Sequence, residues 1–233
     1  MLKFLLVMLA SCASSEKEQT NESFNTNNEE YSQLHNEIAG SDQRNSIFQI
    51  KGLGCNSLQY GTGFFIEENT IVTNAHVVAG VNSPRIIHNG EGYDLDFISL
   101  DPNSDLAILR SENFSHQPLK LDEAEEGELG TVVAFVKDGQ KVTTEVKIRE
   151  KILAVGKDIF GQPGESREAL SLEARIESGF SGAPVLNEDF DVVGVIFSRS
   201  RGGSSTAYAV QSSEVEKILE KEPDLSSSTN CVP

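Results

Sequence analysis

Basic residues are scarce in this 233-residue chain: 19 lysines and arginines stand against 36 aspartates and glutamates, a formal net charge of −17. Phosphate recognition needs a basic patch that releases counterions, so nucleic acid is not an expected partner. Long apolar runs are missing as well. The stretch Met1 to Cys12, MLKFLLVMLASC, is shorter than the roughly 20 residues that a membrane-spanning helix requires. Cysteine is rare, with Cys12, Cys55 and Cys231 only, so no more than one intramolecular disulfide can form. What remains is length enough for one domain of about 150 to 200 residues with extensions, sufficient to bury a sizeable core.

The amino terminus reads as an export signal. Lys3 precedes a short apolar stretch, and Leu9-Ala10-Ser11-Cys12 matches the lipobox of bacterial lipoprotein signal peptides. Residues 1–12 are therefore expected to be a lipoprotein signal peptide, with Cys12 lipidated as the mature amino terminus and tethered to a membrane face of the cell envelope. A plain cleaved signal with an incidental cysteine is the alternative, and it too takes the protein out of the cytoplasm. Residues 13–45 are rich in Ser, Glu, Asn and Gln, with scattered apolar side chains such as Phe24, Tyr31, Leu34 and Ile38. Such a segment buries too little apolar surface to offset the entropy of ordering it, and a polar, disordered spacer is expected.

Residues 46–233 carry the pattern of an all-β domain. Short strand-like runs separated by Gly, Asn, Pro and Asp fall at Ser46–Lys51, Tyr60–Ile66, Thr70–Thr73, Arg85–Ile87, Tyr93–Leu100 and Leu106–Arg110. A second set falls at Thr131–Val136, Val142–Val155, Ala169–Ala174, Pro184–Leu186, Asp191–Phe197 and Thr206–Val210. The acidic stretch DEAEEGE at Asp122–Glu128 lies between the sets and reads as a solvated crossover. Two sets of six predict two six-stranded antiparallel β-barrels in tandem. A short C-terminal helix follows, signalled by a capping box at Ser213-Glu214-Val215-Glu216 and an apolar face of Val215, Ile218 and Leu219, and stopped before Pro223.

Chemistry is signalled at three places. Gly179-Phe180-Ser181-Gly182 has the form of a turn that presents a nucleophilic serine. A serine hydroxyl is a weak nucleophile near neutral pH and needs a base and an acid to orient that base. Thr73-Asn74-Ala75-His76-Val77-Val78 supplies a histidine at the end of one apolar run, and Ser104-Asp105-Leu106-Ala107-Ile108-Leu109 an aspartate at the head of another. Each motif alone is common. In the order His76, Asp105, Ser181 they match the triad order of chymotrypsin-type proteases rather than that of subtilisins or α/β-hydrolases.

These blocks, with Gly61-Thr62-Gly63-Phe64-Phe65-Ile66 and Gly179-Phe180-Ser181-Gly182-Ala183-Pro184, resemble those of trypsin-like bacterial serine proteases. The likeness is nearest to the protease domain of MarP-type periplasmic acid-resistance proteases and more distant to the HtrA group. It extends to Ile148–Glu150, Gly156–Gly161, Gly194–Phe197 and Tyr208–Val210, and runs from about Ser46 to the C-terminus. The resemblance implies a chymotrypsin-like fold, serine endopeptidase activity on polypeptide substrates, a cell-envelope location, and no metal or organic cofactor. It implies an oxyanion hole from the N–H groups of Gly179 and Ser181, and a substrate-binding strand at Phe197, Ser198 and Arg199. It also implies a disulfide between Cys55 and Cys231, as the similar cysteines of MarP-type domains form, leaving Cys12 for the lipid; two free thiols are the alternative.

The chain departs from these families in three ways. A lipobox and spacer stand in place of the membrane-spanning domain of MarP-type proteins, and no PDZ domain follows the protease domain as it does in HtrA proteins, so a monomer is expected. Phe180 occupies the position where digestive trypsins carry an aspartate that pairs with a newly freed amino terminus, which removes activation by that ion pair. Ala183 replaces a second glycine, an added methyl group that should be tolerated. Two other readings remain open: a lipid-anchored pseudoprotease that acts as a peptide-binding module, and an esterase with the same triad.

Overall fold

The computed structural model describes residues 45–200 and 205–233, which fall within one compact unit. The lipobox, Cys12 and the spacer up to residue 44 lie outside the described residues. Among the described residues no helix is long and apolar enough to cross a membrane.

The first set of strands comprises β1 (Ile47–Gly54), β2 (Ser57–Glu67), β3 (Thr70–Asn74), β4 (Arg85–His88), β5 (Glu91–Asp94), β6 (Asp96–Asp101) and β7 (Leu106–Arg110). It forms an antiparallel sheet in the order β5-β4-β1-β2-β3-β7-β6. The single strand expected at Tyr93–Leu100 is interrupted at Leu95, whose side chain is buried while its N–H bonds to the carbonyl of Pro84. That turn carries the chain from one edge of the sheet to the other. The result is a half-barrel whose ends are joined by chain continuity rather than by a ladder of hydrogen bonds.

The second set comprises β8 (Leu129–Phe135), β9 (Lys141–Ala154), β10 (Arg167–Glu173), β11 (Pro184–Leu186), β12 (Val192–Arg199) and β13 (Thr206–Gln211). These six strands close into a barrel in the order β10-β13-β12-β11-β8-β9, as the sequence predicts. Each unit has its own core. Phe48, Ile50, Phe65, Ile71, Leu100 and Leu109 fill the first, and Val132, Ile148, Leu170, Leu172, Val185 and Val193 the second. On β2, residues 61–65 are buried without alternation, because that strand packs against the first core on one face and against β8 of the second barrel on the other.

The C-terminal helix, α2 (Ser212–Glu220), buries Val215 and Ile218, with Leu219 at the rim. The expected capping box does not form. Ser213 lies inside the helix and its hydroxyl donates to Glu168 Oε2 at 2.7 Å, while Glu214 Oε1 accepts the Glu168 N–H at 2.9 Å. Tertiary partners on β10 have displaced the local pattern. Beyond the helix the chain returns to the first sheet, where the Leu100 N–H bonds to Asp224 O and the Gly80 N–H to Ser228 O.

Cys55 and Cys231 form a disulfide across 176 residues of sequence. It pins the C-terminal segment to the tip of the β1–β2 hairpin. In the chain-entropy description a loop of that length contributes at most about 5 kcal/mol. Cys55→Ser is expected to lower the melting temperature by about 10–20 °C, read by calorimetry. An unchanged melting temperature would show the bridge to be dispensable.

Candidate active site

The chain reaches the site through a single helical turn. β3 ends at Asn74 and runs into α1 (Ala75–Val78), whose Ala75, Val77 and Val78 are buried and whose His76 alone faces outward. Asn74 does not cap this turn. Its side-chain amide instead donates to the carbonyl of Asp105 at 2.9 Å, and the Ala75 N–H bonds to the same carbonyl at 3.0 Å.

Asp105 heads β7 with φ of +60°, a left-handed conformation that aspartate tolerates better than most side chains. In that pose its carboxylate grips His76 twice. Oδ1 accepts the His76 backbone N–H at 2.9 Å, and Oδ2 lies 2.7 Å from the ring Nδ1. This double contact fixes the ring orientation and places a proton on Nδ1, leaving Nε2 as the basic nitrogen. The His76 pKa stands above its ordinary 6.5. Burial is the largest influence and pulls it down, but the Asp105 charge and hydrogen bond together overcome that.

Ser181 arrives from the other barrel. Its turn is docked on β2, where the Thr62 N–H bonds to Ser181 O at 2.8 Å and the Thr62 hydroxyl donates to Gly179 O at 2.9 Å. The same hydroxyl accepts the Phe135 N–H at 2.9 Å, so Thr62 ties both barrels to the Ser181 turn. Neighbouring Gly61 touches both halves of the site: a Cβ there would lie 2.7 Å from Val77 Cγ2 and 2.8 Å from Ser181 O. The turn thus sits beside the residue that follows His76. Among the described residues no hydrogen bond joins Ser181 Oγ to His76 Nε2; such contacts are often long in unliganded sites and tighten when substrate binds.

Gly179 has φ of +104°, and a Cβ there would come within 2.2 Å of Phe135 O, so both backbone and space require glycine. Within the turn, Phe180, Gly182 and Ala183 donate their N–H groups to Glu177 O, Ile196 O and Phe180 O. The N–H groups of Gly179 and Ser181 donate to no acceptor among the described residues. Phe180 is 2% exposed and packs in the second barrel's core, and the Ala183 methyl group is fully buried there. The turn is therefore anchored by a buried ring.

Phe197, Ser198 and Arg199 form the end of β12. Ser198 and Arg199 pair with β13 on one side, Phe197 sits at a bulge between Ile196 and Ser198, and the other edge of this segment carries no partner strand among the described residues. Contacts that sequence reasoning missed surround this edge. The Arg167 guanidinium lies 4.6 Å from the Phe197 ring centre and donates to Asn103 O, and the Glu165 N–H bonds to Asn103 Oδ1 at 3.1 Å. Asn103 is two residues from Asp105, so the β9–β10 connection buttresses the turn that holds the carboxylate. No local signal in the sequence marks a contact spanning 64 residues. Among the described residues no group of three or more His, Cys, Asp and Glu could hold a metal ion.

Residues 61–195 match the trypsin-like peptidase domain. The chain belongs to the trypsin-like peptidase family. It is 32% identical over 181 residues to the serine protease Rv3671c of Mycobacterium tuberculosis, a MarP-type protein, covering 76% of this chain and 46% of the relative. It is 31% identical over 172 residues to a probable periplasmic serine endoprotease, DegP-like, of Rhizobium meliloti, covering 69% of this chain and 32% of the relative. The chain thus spans less than half the length of these curated relatives. The active form of the Rv3671c protease superposes with a TM-score of 0.77 at 29% identity, covering 84% of this chain and 88% of that one. An inactive form of the same protease gives 0.68 at 30% identity, covering 76% and 88%.

Proposed function

We propose that this trypsin-like domain is a serine endopeptidase that cleaves polypeptides through an acyl-enzyme formed on Ser181. The observation that carries the reading is the double grip of Asp105 on His76, beside which the Ser181 turn is docked on Gly61 and Thr62. His76 Nε2 takes the proton from Ser181 Oγ as the oxygen attacks the scissile carbonyl. The imidazolium that results is stabilised by the Asp105 carboxylate, and its proton then passes to the leaving amine. The unclaimed N–H groups of Gly179 and Ser181 are the donors available to the oxyanion, and each such donor typically contributes about 2.7 to 4 kcal/mol to the transition state. Water repeats the sequence on the acyl-enzyme.

The full chain should hydrolyse a quenched fluorescent casein with a burst of acyl-enzyme or a steady rate that scales with enzyme. Binding of unfolded polypeptide without cleavage would replace this reading with a peptide-binding module.

The pH dependence follows from His76. The reaction needs the neutral ring, so kcat/KM should rise with pH through a midpoint above 6.5. Stability runs the other way. A proton is held more tightly in the folded state, so the His76 contribution is fully present below 6.5 and is lost as pH rises through the raised value. A kinetic midpoint at or below 6.5 would contradict the Asp105 effect.

Location is part of the proposal. The periplasmic naming of the DegP-like relative supports a place outside the cytoplasm, and the lipobox supports a lipid on Cys12 that tethers a monomeric protease to a membrane face. Cys12→Ser should move the protein from the detergent phase to the aqueous phase in a Triton X-114 partition, and partition unchanged by the substitution would remove the lipid anchor.

A further inference from the structure

We propose that Arg199 is a specificity residue that selects a carboxylate side chain, glutamate or aspartate, on the residue whose carbonyl is attacked. The assignment rests on the peptidase reading and adds a substrate class to it.

The position of that side chain follows from the geometry of the turn. The attacked carbon must sit at Ser181 Oγ, with its oxygen toward the N–H groups of Gly179 and Ser181. The turn is bonded directly to β12, through Gly182 N–H to Ile196 O and Ile196 N–H to Ala183 O, both 2.9 Å. Residues 197–199 therefore run straight out from the nucleophile, and their unpaired edge is where an extended peptide can add as a strand. Residues 174–178, which lead into the turn, flank the other side. The side chain of the attacked residue enters the gap between these two segments.

Arg199 spans that gap. Its Nη1 reaches the carbonyl of Ile176 at 3.3 Å, a long bond to a neutral acceptor. A guanidinium has five N–H donors in a planar fork, and this is the only hydrogen bond that the Arg199 guanidinium makes among the described residues. Arg175, adjacent to Ile176, is exposed and likewise makes no ion pair among them. A guanidinium without an ion pair stands out in a chain with 36 carboxylates and 19 basic residues. Among the described residues no carboxylate pairs with Arg199: Glu177, beside Ile176, is exposed and forms no ion pair with it, Ile176 is 8% exposed, Ala207 is fully buried, and Tyr208 is half-buried. An incoming carboxylate can take two N–H bonds from the fork in place of the single weak one to Ile176 O. The neutral amide of glutamine or asparagine has no charge and only one oxygen, so it forms no charge-assisted fork-to-fork pair.

The test uses the full chain and quenched fluorescent peptides that differ only at the acyl-side residue, carrying Glu, Gln, Asp, Asn or Ala. The expected result is that kcat/KM for Glu exceeds that for Gln by about ten- to hundredfold, the range for hydrogen bonds to a charged group. Arg199→Gln should bring the Glu to Gln ratio close to one, and Arg199→Lys should restore part of it. Each ratio is internal to one protein, so a variant that folds poorly leaves the wild-type ratio as the deciding number. Glu cleaved no faster than Gln, or Ala preferred over both, would overturn the assignment and leave Arg199 as a plug that merely shortens the gap. A fluorophosphonate label on Ser181 separates the two readings. Labelled enzyme without a Glu preference overturns only the role of Arg199, whereas no labelling and no cleavage overturns the peptidase reading together with it.

Discussion

Ser181→Ala is expected to lower kcat on peptide substrates by about 10⁶-fold, the scale on which removal of a triad serine acts. The fold should be nearly untouched. Ser181 Oγ makes no hydrogen bond among the described residues, and the contacts that hold the turn use its backbone: the carbonyl accepts Thr62 N–H, and the flanking Gly182 N–H donates to Ile196 O. Deleting the hydroxyl therefore leaves no buried partner unsatisfied, and the change in stability should stay within about 1 kcal/mol. The check is paired: progress curves on casein peptides over hours, and a thermal melt. Activity retained within tenfold would move the nucleophile elsewhere. A large loss of melting temperature would show that the hydroxyl has a structural partner.

Asp105→Asn is expected to lower kcat by about 10⁴-fold, the effect of that substitution in the Ser-His-Asp triad generally. Asp105 makes four bonds into the site. Two use its carbonyl, to Ala75 N–H and Asn74 Nδ2, and survive the change. The other two use its carboxylate, to the backbone N–H and ring Nδ1 of His76. An amide has a single acceptor oxygen for these two donors and offers an NH₂ group to the other. The ring then favours the tautomer with its proton on Nε2, where it cannot accept from Ser181. Asparagine suits the comparison because it tolerates φ of +60° about as well as aspartate. Asp105→Ala would add backbone strain to the chemical loss and confuse the two. A drop smaller than about tenfold would mean that His76 is oriented by some other group.

The legible parts of this protein are those with local signals. His76, Asp105 and Ser181, the proposed triad, each sit at the edge of an apolar run, and their chain order is that of chymotrypsin-type triads. The strand segments carry turn residues between them, and all six of the second set close as expected. What stayed hidden depends on partners far away in sequence. Leu95 looks like any interior strand residue, and only its bond to Pro84 O breaks the strand and opens the first barrel. Ser213 and Glu216 spell a capping box, yet Glu168 takes the Ser213 hydroxyl, and its own N–H bonds to Glu214. Thr62 reads as a small polar residue between glycines, whereas its hydroxyl joins β8 to the Ser181 turn. The clamp of Arg167 on Asn103 and Phe197 draws together three strands' worth of separate sequence, and no spacing rule anticipates it. Phe180 was legible as a departure from trypsins, but its burial in the second core, which explains how the turn holds without an ion pair, required the fold.

The most direct measurement is intact-mass analysis of the purified full chain after treatment with a fluorophosphonate, beside Ser181→Ala treated in the same way. An assembled triad and oxyanion site predict one adduct per chain, mapped to Ser181 by peptide mass and absent from the variant. A folded chain that takes up no label, or that labels equally well without Ser181, would contradict the account.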